Sequence, residues 1–455
     1  MGTEVTVGID IGTSSVKAIA ADGDGNVVAR ARVPHRVVVP APERFEHDAA
    51  PAWRHGPRRA LADLGDLDVR GVSVAAMVPS LAAVDEQGTP LSPGLLYGDE
   101  RGRTGVTSQG AEDASAEDAS ADDASGGFLG YVRWLHETVP SAHGFWPAQS
   151  VANHALAGEA VLDTTTASLA HPLFDFVKWD DDVATELGIT TDRLPRLVPT
   201  GWECGRVDGD GPALASGCID AMAEQLVAGA DRAGDVLVLL GTTLIVWVVA
   251  HEGAEVPGYV TIPHTASGNF LVGGPSNAGG LFRDWATRLL ASPTERALDP
   301  GAIPVWAPYP RGERVPLNDH TRRASLHRLD LTHDADAIVR ATDEASAFVV
   351  KRVVDAAITH AGVQPKRVVA SGGGTRVDAW VQAIADVTGL PVDCVAVPEG
   401  GALGSAWLAR IAAGLEEPTA MTEGRRWAKV GRRVEPRDVW TAASADRYAE
   451  FLALS

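Results

Sequence analysis

The sequence predicts an α/β chain made of two related halves, and three observations carry that expectation. Apolar runs of strand length alternate with stretches of helical periodicity along most of the chain. One phrase, an apolar run followed by a turn of glycine and hydroxyl residues and a second apolar run, occurs at residues 5–21 and again at 236–249. The length of 455 residues also exceeds what one compact core organises.

In order, residues 5–9 and 16–21 are predicted strands around a turn at 10–15. The turn Asp22-Gly23-Asp24-Gly25 leads into a third strand at 27–33. Residues 51–64 are predicted helical from the stripe of Trp53, Ala60, Leu61 and Leu64. Runs at 72–77 and 81–84 are predicted buried strands, and residues 221–228 a helix. The second half opens with strands at 236–240 and 244–249 around Gly241-Thr242-Thr243. A long helix at 337–361 follows, then a strand at 367–370 that runs into Ser371-Gly372-Gly373-Gly374. Two more helices are predicted, one at 379–388 stopped by Gly389 and one at 404–413. Residues 111–125 stand apart as three tandem units, AEDAS, AEDAS and ADDAS, acidic and without a large apolar side chain. A solvated, mobile insertion is expected there, in preference to a metal site.

Composition narrows the function. Hydrophobic residues make up 45% and charged residues 22%, as in globular proteins. With 39 Lys+Arg against 60 Asp+Glu the net charge is −21, which repels phosphate backbones and anionic lipids. Nucleic acid and membrane are therefore not expected as partners. Three cysteines (Cys204, Cys218, Cys394) are too few and scattered for a disulfide framework or a zinc cage, and they fit a reducing cytoplasm. No secretory leader is expected. The most apolar window, 236–250, is short for a membrane span and is interrupted by Gly241.

Four motifs carry chemistry. In Asp10-Ile11-Gly12-Thr13-Ser14-Ser15, with Lys17 beyond, Gly12 lets backbone N–H groups approach an anion. The hydroxyls and Lys17 add donors and charge, and Asp10 can hold hydrated Mg²⁺. These are the needs of a nucleotide phosphate chain, although a tight turn of small residues also explains the segment. Gly241-Thr242-Thr243 repeats the pattern, or is a plain hairpin. In Ser371-Gly372-Gly373-Gly374-Thr375 three glycines remove every side chain, so a flat ring or ribose can lie against the backbone, unless the segment is only a flexible connection. Asp220, before a helix, is either an N-cap or a general base.

Order and spacing together resemble the FGGY carbohydrate kinases, of the acetate and sugar kinase/actin superfamily, in the xylulose kinase-like branch. Besides these four motifs the resemblance includes residues 93–101 (PGLLYGDER), 308–316 (PYPRGERVP), Arg340-Ala341 with Glu344, and Glu399-Gly400-Gly401-Ala402-Leu403-Gly404. It implies two actin-like (ribonuclease H-like) domains with an interdomain cleft. Residues 1–228 would carry the sugar site and the base, and 229–455 the nucleotide site, with the helix at 443–454 returning to the first domain. The implied activity is ATP- and Mg²⁺-dependent phosphorylation of a sugar or polyol, a xylulose-like ketopentose first, by a cytoplasmic enzyme with a homodimer as default. A sugar-responsive regulator or a sugar-independent ATPase on the same scaffold are the alternatives.

The resemblance also implies roles. Asp220, ionised at neutral pH, is the base, and Asp10 the Mg²⁺-associated acid. Gly12, Thr13, Ser14 and Lys17 form one phosphate turn and Gly241, Thr242 and Thr243 the other. Gly372, Gly373 and Gly374 line the nucleotide pocket, and Met77, Asp99 and Arg101 join Asp220 on the sugar side. The chain departs from the pattern at Val78, where xylulose kinases have His, and at Tyr97, where Trp is usual. It departs again at Tyr131, Ser325 and Thr243. Most of these changes bear on substrate identity.

Overall fold

The structure, a computed structural model, describes residues 4–41, 43–102, 116–290 and 297–454, with backbone only for 116–126. It divides into two compact units, Met1–Val227 with Glu399–Trp427, and Ala228–Pro398 with Ala428–Ser455.

Each unit is built on a mixed sheet of one topology. In the first, Glu4–Ile11, Ser15–Ala21 and Val27–Pro34 run antiparallel in sequence, and Asp68–Ala76 joins Glu4–Ile11 in parallel on its other side. Ala213–Ala215 and Cys218–Ile219 then pair in parallel with Asp68–Ala76. In the second, Asp235–Leu240, Leu244–Ala250 and Phe270–Ser276 are antiparallel, and Arg367–Ser371 and Val392–Val395 add in parallel. The expected duplication is thus a duplicated sheet order. The first strand of each unit is buried along nearly its whole length, as a strand covered on both faces must be.

The chain closes on itself differently from the 1–228 and 229–455 division. Helix Gly400–Ala412, expected in the second domain, lies on strands Glu4–Ile11 and Asp68–Ala76 of the first unit. Glycine makes the approach possible: a Cβ on Gly8 would collide with the Ala402 carbonyl oxygen, and one on Gly71 with that of Ala409. Thr6 Oγ1 donates to the Ala406 carbonyl at 2.9 Å. The last helix, Asp438–Leu454, stays with the second unit and does not return to the first. Phe451 packs against Phe348 with centroids 5.4 Å apart, and Arg447 meets both oxygens of buried Glu344.

Of the acidic repeat, 111–115 lie outside the described residues. From Ala116 the backbone is already helical, within Ala116–Thr138, in place of the expected loop. Alanine and glutamate are strong helix formers, and the helix is anchored further along by buried Phe128, Tyr131, Val132 and Leu135.

Candidate active site

Strand register gathers the first group of residues. Ile11 and Ile219 both lie opposite Ala76 at the ends of parallel strands, so Gly12, Met77 and Asp220 leave the sheet at its carboxyl edge. Ligands of α/β sheets bind at that edge.

Asp10 and Lys17 face each other across the first hairpin, and Lys17 Nζ sits 3.0 Å from Asp10 Oδ2. The buried Asp10 carboxylate holds the Lys17 ammonium above its ordinary pKa, with Glu224 and Asp220 adding to the pull. Between them the chain turns, and every carbonyl of the turn is taken by the protein. Gly12 O accepts from His35 Nε2 at 2.8 Å and Thr13 O from His47 Nε2 at 2.9 Å. Ser14 O accepts from the His35 N–H and Ser15 O from the Gly12 N–H. The N–H groups of Thr13 and Ser14 have no protein acceptor among the described residues, and Ser14 is exposed. A turn with its carbonyls tied back and N–H groups outward is an anion seat.

Asp220 opens helix Asp220–Ala228 and is partly exposed. Gly217, at φ +94°, delivers it; a side chain there would collide with the Val74 carbonyl and Gln149. Among the described residues Asp220 Oδ1 accepts from the adjacent Ala221 N–H, at 2.7 Å, and from no N–H of the next turn as an N-cap would. Burial first, then the Asp10 and Glu224 carboxylates, push its pKa up to about 7 against the pull of Lys17. Where a carboxylate ionised at neutral pH is expected, the pKa thus lies well above that of an ordinary aspartate.

In the second unit Leu239 lies opposite Ser371, which brings Gly241-Thr242-Thr243 and the triple glycine to the same sheet edge. The carbonyls of this turn are also tied back, Gly241 O by the Gly280 N–H at 2.9 Å and Thr242 O by the Leu281 N–H at 3.1 Å. Thr243 O accepts from the Gly241 N–H. The three glycines are not equivalent. A Cβ at Gly372 would press on the Leu240 backbone and one at Gly374 on Trp380 and Leu240; only at Gly373 is the space open. Of the three, Gly373 alone borders open space, while its neighbours are glycines for internal packing.

The sugar-side candidates divide. Met77 is buried in the first unit's core. Asp99 is buried with both oxygens engaged: Oδ1 accepts from Arg101 N and Nε, Oδ2 from Phe45 N and Arg101 Nη2. Arg101 also meets Glu46 at 2.8 Å and stacks over Trp134. This pair clamps the loop carrying Tyr97, and its side chains are spent on the protein. Tyr97 itself reaches the first turn, its hydroxyl 3.0 Å from Thr13 Oγ1. Sequence reasoning missed His35, His47 and the helix Gly280–Arg288; only the pair Gly279-Gly280 signalled the last.

Among the described residues no three His, Cys, Asp or Glu side chains assemble as a metal cage. The donors fit instead an ion held by one carboxylate, water and phosphate oxygens, as magnesium is beside nucleotides; Asp10 offers that carboxylate. Among the same residues no helix is long and apolar enough to cross a membrane.

Known proteins resemble this chain along most of its length. Residues 5–217 match the N-terminal domain of the FGGY family of carbohydrate kinases, and 238–413 its C-terminal domain. The chain is 27% identical to xylulose kinase of Escherichia coli, over 90% of each chain. It is 24% identical to gluconokinase of Bacillus subtilis, over 85% of this chain and 83% of that one. The crystal structure of xylulose kinase from Rhodospirillum rubrum superposes with a TM-score of 0.79 at 26% identity, covering 99% of this chain and 98% of the other.

Proposed function

This chain belongs to the FGGY family of carbohydrate kinases, and on that premise we propose that it moves the γ-phosphoryl group of ATP to a ketopentose hydroxyl, with Asp220 as base. The supporting observation is Asp220 itself, a partly exposed carboxyl at the sheet edge whose pKa is raised to about 7. A general base works best when its pKa lies near the operating pH.

In this reading the sugar hydroxyl donates its proton to the Asp220 carboxylate as its oxygen attacks the γ-phosphorus, and ADP leaves. The N–H groups of Thr13 and Ser14 and the Lys17 ammonium take phosphate oxygens in the first unit. Gly241, Thr242 and Thr243 take them in the second, and Gly373 carries the nucleoside. Magnesium, bound by the phosphates and Asp10, would supply further charge compensation. The relatives named above support a xylulose-like ketose first and a sugar acid second. Val78 has no polar atom where xylulose kinases carry His, so polyols belong in the test as well.

The experiment is ADP release from MgATP with D-xylulose, D-ribulose, gluconate, glycerol and erythritol, each alone. One ADP per sugar phosphate with one of them, and none without, is expected. Equal ADP release with and without sugar would make the chain an ATPase, and none with any sugar would favour the regulator.

A further inference from the structure

We propose that His35 and His47 are positioning residues for phosphoryl transfer: their Nε2–H groups hold the carbonyls of Gly12 and Thr13 so that the turn keeps its N–H groups toward the phosphates. This rests on the reading of that turn as a phosphate seat.

The tautomers follow from the partners. Trp53 Nε1, a donor only, gives its hydrogen to His47 Nδ1 at 3.0 Å. His47 therefore carries its proton on Nε2 and donates it to Thr13 O. His35 Nε2 likewise faces a carbonyl, which only accepts, and its Nδ1 is buried without a partner among the described residues. The two rings meet edge to face with centroids 4.4 Å apart. Burial keeps both neutral, lowering His35 and taking His47 down to about 4. Two neutral imidazoles can be packed beside each other where two cations could not.

Three features make this more than core packing. The bonds run from residues 23 and 34 positions away to two successive carbonyls. The remaining two carbonyls of the turn are closed by backbone N–H groups, so these imidazoles complete the set. Freed, either carbonyl would present partial negative charge where phosphate must sit, and a buried acceptor left unpaired is itself costly. The second unit arrives at the same closure by another route, through the N–H groups of Gly280 and Leu281.

The test compares His47→Leu with His47→Gln, and His35→Leu with His35→Gln, since glutamine can place an N–H near the lost Nε2. At saturating sugar the leucine variants should lose roughly 10- to 100-fold in kcat/KM for MgATP, and the glutamine variants should recover to within about threefold of the parent. The KM for sugar should stay nearly constant throughout. Leucine variants with unchanged kcat/KM, or leucine and glutamine variants falling together, would overturn the proposal. Should the leucine variants not fold, imidazole ¹⁵N spectra of the unaltered protein decide. Both rings should be neutral Nε2–H tautomers, and both should shift when a non-hydrolysable MgATP analogue binds; unmoved resonances would overturn it. Asp220→Asn separates the two levels. If that variant is inactive while His47→Leu is unaffected, only the positioning role fails. If Asp220→Asn turns over normally, the kinase reading itself fails.

Discussion

At residues 12–15 the carbonyl oxygens of a glycine–hydroxyl turn are held by the imidazoles of His35, just past strand Val27–Pro34, and His47, in strand Glu46–His47, and by the backbone N–H groups of His35 and Gly12. At 241–243 the backbone N–H groups at the start of helix Gly280–Arg288 do the same work. Both turns lie at the carboxyl edges of sheets of one topology. The difference is in what each arrangement exposes to mutation. A side-chain brace is removed by one substitution, whereas a backbone brace can be disturbed only by crowding it. It follows that the first turn can be tuned residue by residue, and the second stands or falls with its helix.

The largest effect expected lies beside the first turn. Asp220→Asn keeps the shape of the carboxyl but cannot accept the proton, and should lower kcat by about 10²–10⁴-fold, with ATP affinity retained by calorimetry. Its stability should change in the opposite sense. The folded pKa of Asp220 lies above that of an unfolded aspartate, so the folded state holds the extra proton between about 4 and 7. The unaltered protein therefore loses stability as pH rises through that interval, and Asp220→Asn does not. The melting temperature of the variant should exceed that of the parent at alkaline pH and match it in acid.

The second turn is broken by crowding. Gly279 has an ordinary backbone conformation, but a Cβ there would stand 2.4 Å from Leu244 N and 2.7 Å from Thr242 O. Gly279→Ala should cost about 1–3 kcal/mol in stability and raise the KM for MgATP, leaving the KM for sugar in place. An unaffected KM for MgATP would remove this turn from the nucleotide. Smaller again is the pH effect on the unaltered enzyme: kcat/KM for sugar should rise as pH passes through about 7 and then level off as Asp220 ionises. The smallest change is Tyr97→Phe. Removing the hydroxyl that meets Thr13 Oγ1 should cost about 1 kcal/mol or less, read as a few-fold rise in KM for MgATP.

The contrast between the turns also explains what was legible in the sequence. The turns that carry Asp10, Thr13 and Thr242 could be read as turns because glycine and hydroxyl residues between two apolar runs are a local pattern, complete within a few positions. His35 and His47 could not be found, since nothing near them in sequence points to carbonyls 23 and 34 residues away. Asp99 and Arg101 were visible as a motif but not as a buried clamp, because residue type does not declare whether a charge faces solvent or its neighbour. The placing of Gly400–Ala412 on the first unit was equally hidden. It depends on Gly8 and Gly71 being flat where the helix arrives, an agreement among three separate segments. Asp220 could be located but not its protonation, which is set by its burial and by Asp10, a residue from another strand.

The most direct test of that last point is a ¹³C NMR titration of the Asp220 carboxyl, assigned by its loss in Asp220→Asn. The account predicts a midpoint of about 7 that moves down in Asp10→Asn, where one neighbouring negative charge is gone. A midpoint near that of an ordinary aspartate, unmoved by Asp10→Asn, would contradict it.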